Sequence, residues 1–164
     1  MKESILVIIK PDGMVKGHAG HVLTRFEETD LTLVAARVVK VSRELAEEHY
    51  RQLREKPFFD ELIHFLMGDF HNHQETVLAF VFNGEDAIQK GRAIAGATNP
   101  EQADYHSIRG SFGRVTTKGS FENVIHVSSD PSEGEREIKL WFWPEELAYE
   151  LFPTKMYGNR KVWS

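Results

Sequence analysis

Ile5-Leu6-Val7-Ile8-Ile9 is an unbroken apolar run, halted at once by Lys10-Pro11-Asp12-Gly13. Successive strand side chains point to opposite faces, so the run reads as a strand buried on both sides and stopped by a turn. A strand of that kind needs cover on both faces, and the remaining pattern must provide it. Residues 20–28 read as a helix with Val22, Leu23 and Phe26 on one side, and residues 31–41, rich in Val and Ala, as a longer strand. From Ser42 onward, Leu45, Ala46, His49, Tyr50 and Leu53 form a helical stripe that Pro57 ends, and a second short helix is expected over 58–67. Residues 68–75 are polar and turn-like, 76–82 read as a third strand and 85–95 as a helix. Residues 96–122 show no sustained period, and a loop that long in a compact domain is usually functional or disordered. A fourth strand then holds His126. Ile138, Trp141 and Phe142 mark the apolar face of a last helix, and the tail from Pro144 is less regular.

The order is β-α-β, an inserted helical pair, β-α-β and a helix. Two βαβ halves in one domain imply an α+β, ferredoxin-like sandwich (βαββαβ) whose antiparallel four-stranded sheet is covered by helices. The 164 residues are read as one domain, 1–164, large enough for a core without staples. The formal charge of −5 argues against a nucleic-acid footprint, so a bound anion must meet a local cluster of Lys and Arg. With no Cys, disulfides, thiolate catalysis and Cys-based zinc sites are excluded. Met1-Lys2-Glu3-Ser4 leads into an apolar run too short for a signal peptide or a membrane span, so a cytoplasmic protein without membrane contact is expected.

The stretch 123–130, Asn-Val-Ile-His-Val-Ser-Ser-Asp, sets a histidine in a short β-branched run just before a helix start. Alternation predicts Val124 and His126 on one face, with Asn123, Ile125 and Val127 on the other. Asp130 reads as an N-cap, Pro131 as the first helical residue and Glu133 as the acid three places after the cap. Neither phosphate cradle made of glycine-rich turns is present: the spacing of Gly13, Gly17 and Gly20 fits no dinucleotide fingerprint, and in residues 113–120 Lys precedes Gly. Lys10 at a strand end, Arg92 late in a helix, Thr98 in a Thr-Asn-Pro turn and Arg109 before Gly110 each have an ordinary structural explanation when taken alone. Tyr50 and Phe58 are likewise ordinary core or staple residues.

Together they form a long ordered series: Ile9-Lys10-Pro11-Asp12-Gly13, His49-Tyr50, Pro57-Phe58-Phe59, Lys90-Gly91-Arg92, Gly96-Ala97-Thr98-Asn99-Pro100, Ile108-Arg109-Gly110, Asn123-Val124-Ile125-His126, Glu135-Arg136-Glu137-Ile138 and Leu140-Trp141-Phe142. This series, spread over nearly the whole chain, resembles nucleoside diphosphate kinases. The resemblance implies a ferredoxin-like fold and a two-step exchange of a terminal phosphate between nucleoside triphosphates and diphosphates, with His126 as the nucleophile that carries it. Imidazole suits that task at neutral pH. By the same resemblance Lys10, Arg92 and Arg109 hold phosphates, and Thr98 and Asn123 add hydrogen bonds to phosphate and sugar. Phe58 with Leu62 stacks on the base, and Tyr50 lines the pocket. Glu137 orients His126, and Ser128 links to that acid. Mg²⁺ arrives on the nucleotide phosphates, with no dedicated protein cage, and the partners are nucleoside di- and triphosphates and further copies of the chain, as a hexamer or tetramer.

The chain departs from the family pattern at Val127, where a glycine is usual. Valine does not share glycine's ready access to positive φ, so the backbone after His126 is expected to differ. Two stretches, 110–122 and 68–74, run longer than is usual. His71 and His73 in the second read as solvated loop residues rather than metal ligands, and His18, His21, His64 and His106 receive no role. The competing readings are a catalytically weak nucleotide-binding regulator of the same fold and a ferredoxin-like nucleic-acid binder, the second opposed by the acidic balance.

Overall fold

A computed structural model describes residues 1–164. β1 (Lys2–Ile9) lies between β3 (Thr76–Glu85) and β6 (Ile125–Val127), and β2 (Thr32–Lys40) forms the far edge. The sheet order is β2-β3-β1-β6, with each neighbouring pair antiparallel. This is the split-βαβ arrangement expected from the element order.

β1 is buried on both faces, as its unbroken apolar run predicts. Leu6 and Ile8 pack with Ala46 of α3 (Arg43–His49), Ile63 and Leu66 of α4 (Phe59–Met67), and Ile138 and Trp141 of α7 (Pro131–Trp141). Ile5, Val7 and Ile9 pack on the opposite face with Val22 and Phe26 of α2 (Ala19–Glu27) and Ile88 of α5 (Ala87–Ala95). Each fully buried aliphatic side chain contributes about 1.5–3 kcal/mol relative to exposure, so this one strand anchors two cores. The inserted pair α3 and α4 thus covers the face that the crossover helices leave open.

Four local readings change. The expected turn after Ile9 is a short helix, α1 (Pro11–Val15), with Pro11 in its first turn; five residues are too few to show a helical period. The long aperiodic stretch holds α6 (Ile108–Phe112) and a small hairpin of β4 (Arg114–Val115) with β5 (Phe121–Glu122). The irregular tail contains a second hairpin, β7 (Thr154–Tyr157) with β8 (Arg160–Trp163), turned by Gly158-Asn159 with Gly158 at φ 60°. That Gly-Asn pair is a hairpin signal overlooked in the sequence.

The fourth change concerns Val124, which has a left-handed φ of 71°. It therefore faces the same core as Ile125 and Val127 instead of sharing a face with His126. Alternation fails because a β-branched residue at positive φ interrupts the extended chain. Three contacts hold it there. Lys10 N–H donates to the Val124 carbonyl (2.9 Å), the Asp12 carboxylate accepts Val124 N–H (2.9 Å), and Gly13 lies so close that a Cβ would sit 2.9 Å from that carbonyl. Val127, by contrast, is extended in β6 opposite Val7, so its replacement of glycine demands no unusual backbone.

Candidate active site

β6 opposes Ile8 with His126, and this register turns the imidazole away from the Ile125 and Val127 side, toward α3 and α7. α7 begins as its sequence foretells: Asp130 Oδ1 accepts the Glu133 N–H at 2.9 Å and Pro131 opens the first turn. Gly134 lets this helix press against β1, since a Cβ there would lie 2.6 Å from the Ser4 carbonyl. One turn later Glu137 is buried, with Oε1 2.9 Å from His126 Nε2 and Oε2 accepting the Ser128 hydroxyl at 2.6 Å. Ser128 Oγ also accepts the Leu6 N–H (3.0 Å), which ties the group to the central strand.

Burial works to raise the Glu137 carboxyl, yet His126, Ser128 and Arg136 together hold it below its ordinary value. An ionised carboxylate only accepts, so His126 Nε2 carries the hydrogen, and in the neutral ring the lone pair is on Nδ1. The sequence left that choice of nitrogen open.

His126 lines a cavity of about 590 Å³ together with Lys10, Tyr50, Phe58, Leu62, Arg92, Thr98, Arg109 and Asn123. Every residue singled out in the sequence as nucleotide-contacting is therefore on one wall or another, while Ser128 and Glu137 stand behind the histidine. Another hollow, of about 670 Å³, lies between the start of β1 and residues 149–152 and contains none of them.

The cavity is locally cationic within an acidic chain. Burial brings the Lys10 ammonium down to about 8, helped by Arg109 and opposed by Asp12, and Nζ sits 4.9 Å over the Phe65 ring. Burial likewise lowers Arg109 to about 10. Its fork is partly committed, with Nη1 donating to the Gly96 carbonyl and Nη2 to that of Ile125 (both 2.9 Å), so it braces β6 as well as facing the cavity. Asn123 donates to the Thr98 carbonyl (2.9 Å), and its buried Oδ1 has no partner. Arg92 and Thr98 are exposed, and Phe58 presents its ring at 46% exposure. Burial raises the Tyr50 phenol above its ordinary value, and the Glu137 charge adds to this.

Several participants were not singled out in the sequence. His49 is buried with its ring edge-on to His126 (centroids 4.4 Å apart, 80° between planes), and its Nδ1 accepts the Trp141 indole N–H at 3.1 Å. Burial, then His126, Arg136 and Lys10, keep it neutral by lowering its pKa well below the usual histidine range. Donor atoms of His49, His126 and Glu137 lie within 4.8 Å of one another; His126 and Glu137 are hydrogen-bonded, whereas His49 packs beside them, bonded to Trp141 and with its buried Nε2 unpartnered. Arg136 donates to the carbonyls of Glu48 (3.1 Å) and His49 (3.0 Å), fixing the end of α3 against α7. His49 and Arg136 both lie within the ordered motif series, and His49 also falls on the apolar stripe of its helix. The hairpin adds Lys118, Gly119, Ser120 and Phe121 to the cavity wall, and Ser120 Oγ donates to Glu61 of α4 at 2.6 Å. His71, expected in solvent, is instead buried, with Nε2 2.8 Å from Glu122 Oε1; His73 is exposed.

The family model described as nucleoside diphosphate kinase matches residues 3–147. A nucleoside diphosphate kinase of Symbiobacterium thermophilum is 44% identical over 147 residues, covering 90% of this chain and 91% of its own. Among solved structures, that of the Borrelia burgdorferi enzyme as a transition-state mimic with vanadate and ADP superimposes with a TM-score of 0.79 at 34% identity, covering 89% of this chain and 90% of that one. The Halobacterium salinarum enzyme in complex with CDP gives 0.79 at 37%, covering 90% and 91%. With those matches spanning the elements that build the cavity, the chain belongs to the nucleoside diphosphate kinase family.

Proposed function

We propose that the terminal phosphate of a nucleoside triphosphate passes to a nucleoside diphosphate in two steps, with His126 Nδ1 carrying it in between. The observation that supports this most is the lock of Nε2–H onto Glu137, which leaves a lone pair at the wall of a cavity lined by four cationic side chains, Lys10, Arg92, Arg109 and Lys118. In the first step the Nδ1 lone pair bonds to the terminal phosphorus while the bond to the leaving diphosphate oxygen breaks and that oxygen keeps the pair. In the second, a terminal oxygen of the acceptor diphosphate attacks, and the N–P pair returns to Nδ1. The Nε2 proton stays on the Glu137 hydrogen bond throughout, so no proton need enter or leave.

Lys10, Arg92 and Arg109 offset the phosphate charge, which is the main task in a loose phosphoryl transfer. Asn123 Oδ1 offers its free acceptor to a sugar hydroxyl, Thr98 adds a hydroxyl, and Tyr50 closes the pocket beside His126. Phe58 and Leu62 give an apolar face to the base, which suits indifference to base identity. Mg²⁺ carried in on the nucleotide phosphates, and held by no residue of the wall, would draw charge from the leaving group. The wall fits a metal carried that way, because its only carboxylate, Glu61, lies on α4 and is bonded to Ser120. The whole chain, 1–164, acts as one domain in the cytoplasm. It assembles as a hexamer or tetramer, which the exposed Leu33 and Val38 of edge strand β2 support; no helix is long and apolar enough to cross a membrane.

Incubation with γ-labelled ATP and Mg²⁺ is expected to give an acid-labile, alkali-stable label that leaves on adding a different nucleoside diphosphate. His126→Ala should bind nucleotide and fold, yet take no label. Label persisting near wild type in that variant would remove His126 from the role, and ATP binding without any label in the wild type would favour a regulator.

A further inference from the structure

The two stretches that run long in the sequence, 68–74 and 110–122, meet at one buried carboxylate. Glu122 ends β5 and immediately precedes Asn123, the left-handed Val124 and β6. It is 5% exposed. Two cations and an imidazole, from three separate segments, converge on it. His71 Nε2, from the loop after α4, lies 2.8 Å from Oε1. Lys16 Nζ, at the end of α1, lies 3.2 Å from Oε2, and Arg114, its cross-strand neighbour in the hairpin, donates Nε–H to the same oxygen. The His71 ring packs edge-on against Phe65 (4.8 Å, 70°), the ring beneath Lys10 Nζ.

We propose that Glu122 is a positioning residue for the nucleotide slot: its clasp on His71, Lys16 and Arg114 sets the hairpin wall and the turn that presents Asn123. This rests on the function proposed above and concerns the same cavity. Phe121 and Asn123, the residues on either side of Glu122, both line the cavity, as do Lys118, Gly119 and Ser120 beyond them. The hairpin has two cross-strand residue pairs, and at its tip Ser120 has an exposed bond to Glu61. The buried clasp is therefore its main tether to the body of the fold. The carboxylate and His71 are buried, whereas Arg114 is exposed and Lys16 partly so; removing the charge weakens the acceptor for the buried His71 N–H and lets the two cations turn to solvent, which loosens the hairpin.

His126 is held independently. It pairs with Ile8 in the sheet and with Glu137, itself held by Ser128, and none of these has a hydrogen bond to Glu122. The clasp should then govern how well the slot holds a nucleotide and leave the reactivity of the histidine unchanged.

Glu122→Gln preserves the shape and removes the charge. The expected result is a rise of about five-fold or more in KM and in Kd for a nucleoside diphosphate, with kcat held within about two-fold. Phosphorylation of His126 by phosphoramidate, a donor with neither sugar nor base, should stay at the wild-type rate. An unchanged KM overturns the proposal, and so does a matching fall in the phosphoramidate reaction, which would place the effect on the histidine itself. A second pair guards against a variant that fails to fold. His71→Phe keeps the ring on Phe65 but loses the donor, whereas His71→Gln keeps an N–H near the same point. KM should rise in the first and return toward wild type in the second, with thermal stability measured for both; equal KM values in the two overturn the assignment. Wild-type protein that takes no phosphate from ATP would instead refute the underlying function, and a mere loss of Tm with unchanged KM would make the clasp structural alone.

Discussion

Lys10 shows how burial turns an ordinary residue into a conditional one. Its ammonium ends a doubly buried strand, and desolvation first, then Arg109, lowers its pKa to about 8. Below that pH the group is charged and attracts phosphate; above it the attraction fades. Since kcat/KM reports groups of the free enzyme, it should decline as pH rises through about 8. In Lys10→Arg, whose side chain stays charged, that alkaline decline should move to higher pH. A pH–rate profile with an identical alkaline limb in both proteins would show that Lys10 does not titrate there. The presence of Lys10, Arg92, Arg109 and His126 was plain in the sequence because each sits in a recognisable motif. The partners of those groups were not, because they come from other segments. The Glu137 lock selects the free nitrogen of His126, and Arg109 divides its fork between Gly96 and Ile125.

Among the elements, α7 was the best foretold. Its cap, first proline and apolar stripe follow local rules, and the structure repeats them residue by residue, from the Asp130 carboxylate on Glu133 N–H to buried Ile138 and Trp141. Removing that cap in Asp130→Ala should lower stability by about 1 kcal/mol, or about 2–4 °C of Tm in a chain this long. Calorimetry would check it; no measurable change would mean that the exposed cap is replaced by water. β6 was the element read least well. Its alternation breaks at Val124, where a strain of about 1–3 kcal/mol is sustained by Lys10, Asp12 and the absence of a side chain at Gly13. Nothing in the run Asn-Val-Ile-His announces it, because the constraint arrives from α1.

Across the whole molecule, acid should undo the clasp that joins these parts. Arg114 foremost, then His71 and Lys16, hold the Glu122 carboxyl at about 2 against an ordinary 4.5, outweighing the opposing effect of burial. A carboxylate lowered in the folded state contributes stability that is full above its unfolded value and disappears as pH falls through the folded one. This contribution should therefore fade between about pH 4.5 and about 2, and Glu122→Gln should flatten the curve of stability against pH across that window. Urea midpoints measured at several pH values would decide; parallel curves would refute it.

The sequence by itself determined the doubly buried central strand, the βαβ order, the entry to α7 and the set of residue types gathered at the cavity. These follow from periods of two and 3.6 and from caps and motifs a few residues long, all of them local. The left-handed Val124, the free Nδ1 of His126 and the meeting of His71 with Glu122 were decided only by tertiary structure. The last pair are 51 residues apart, and in the sequence His71 is a histidine in a polar loop like any other. Its burial depends on packing from distant segments, and that packing gives the buried carboxylate its charge partners.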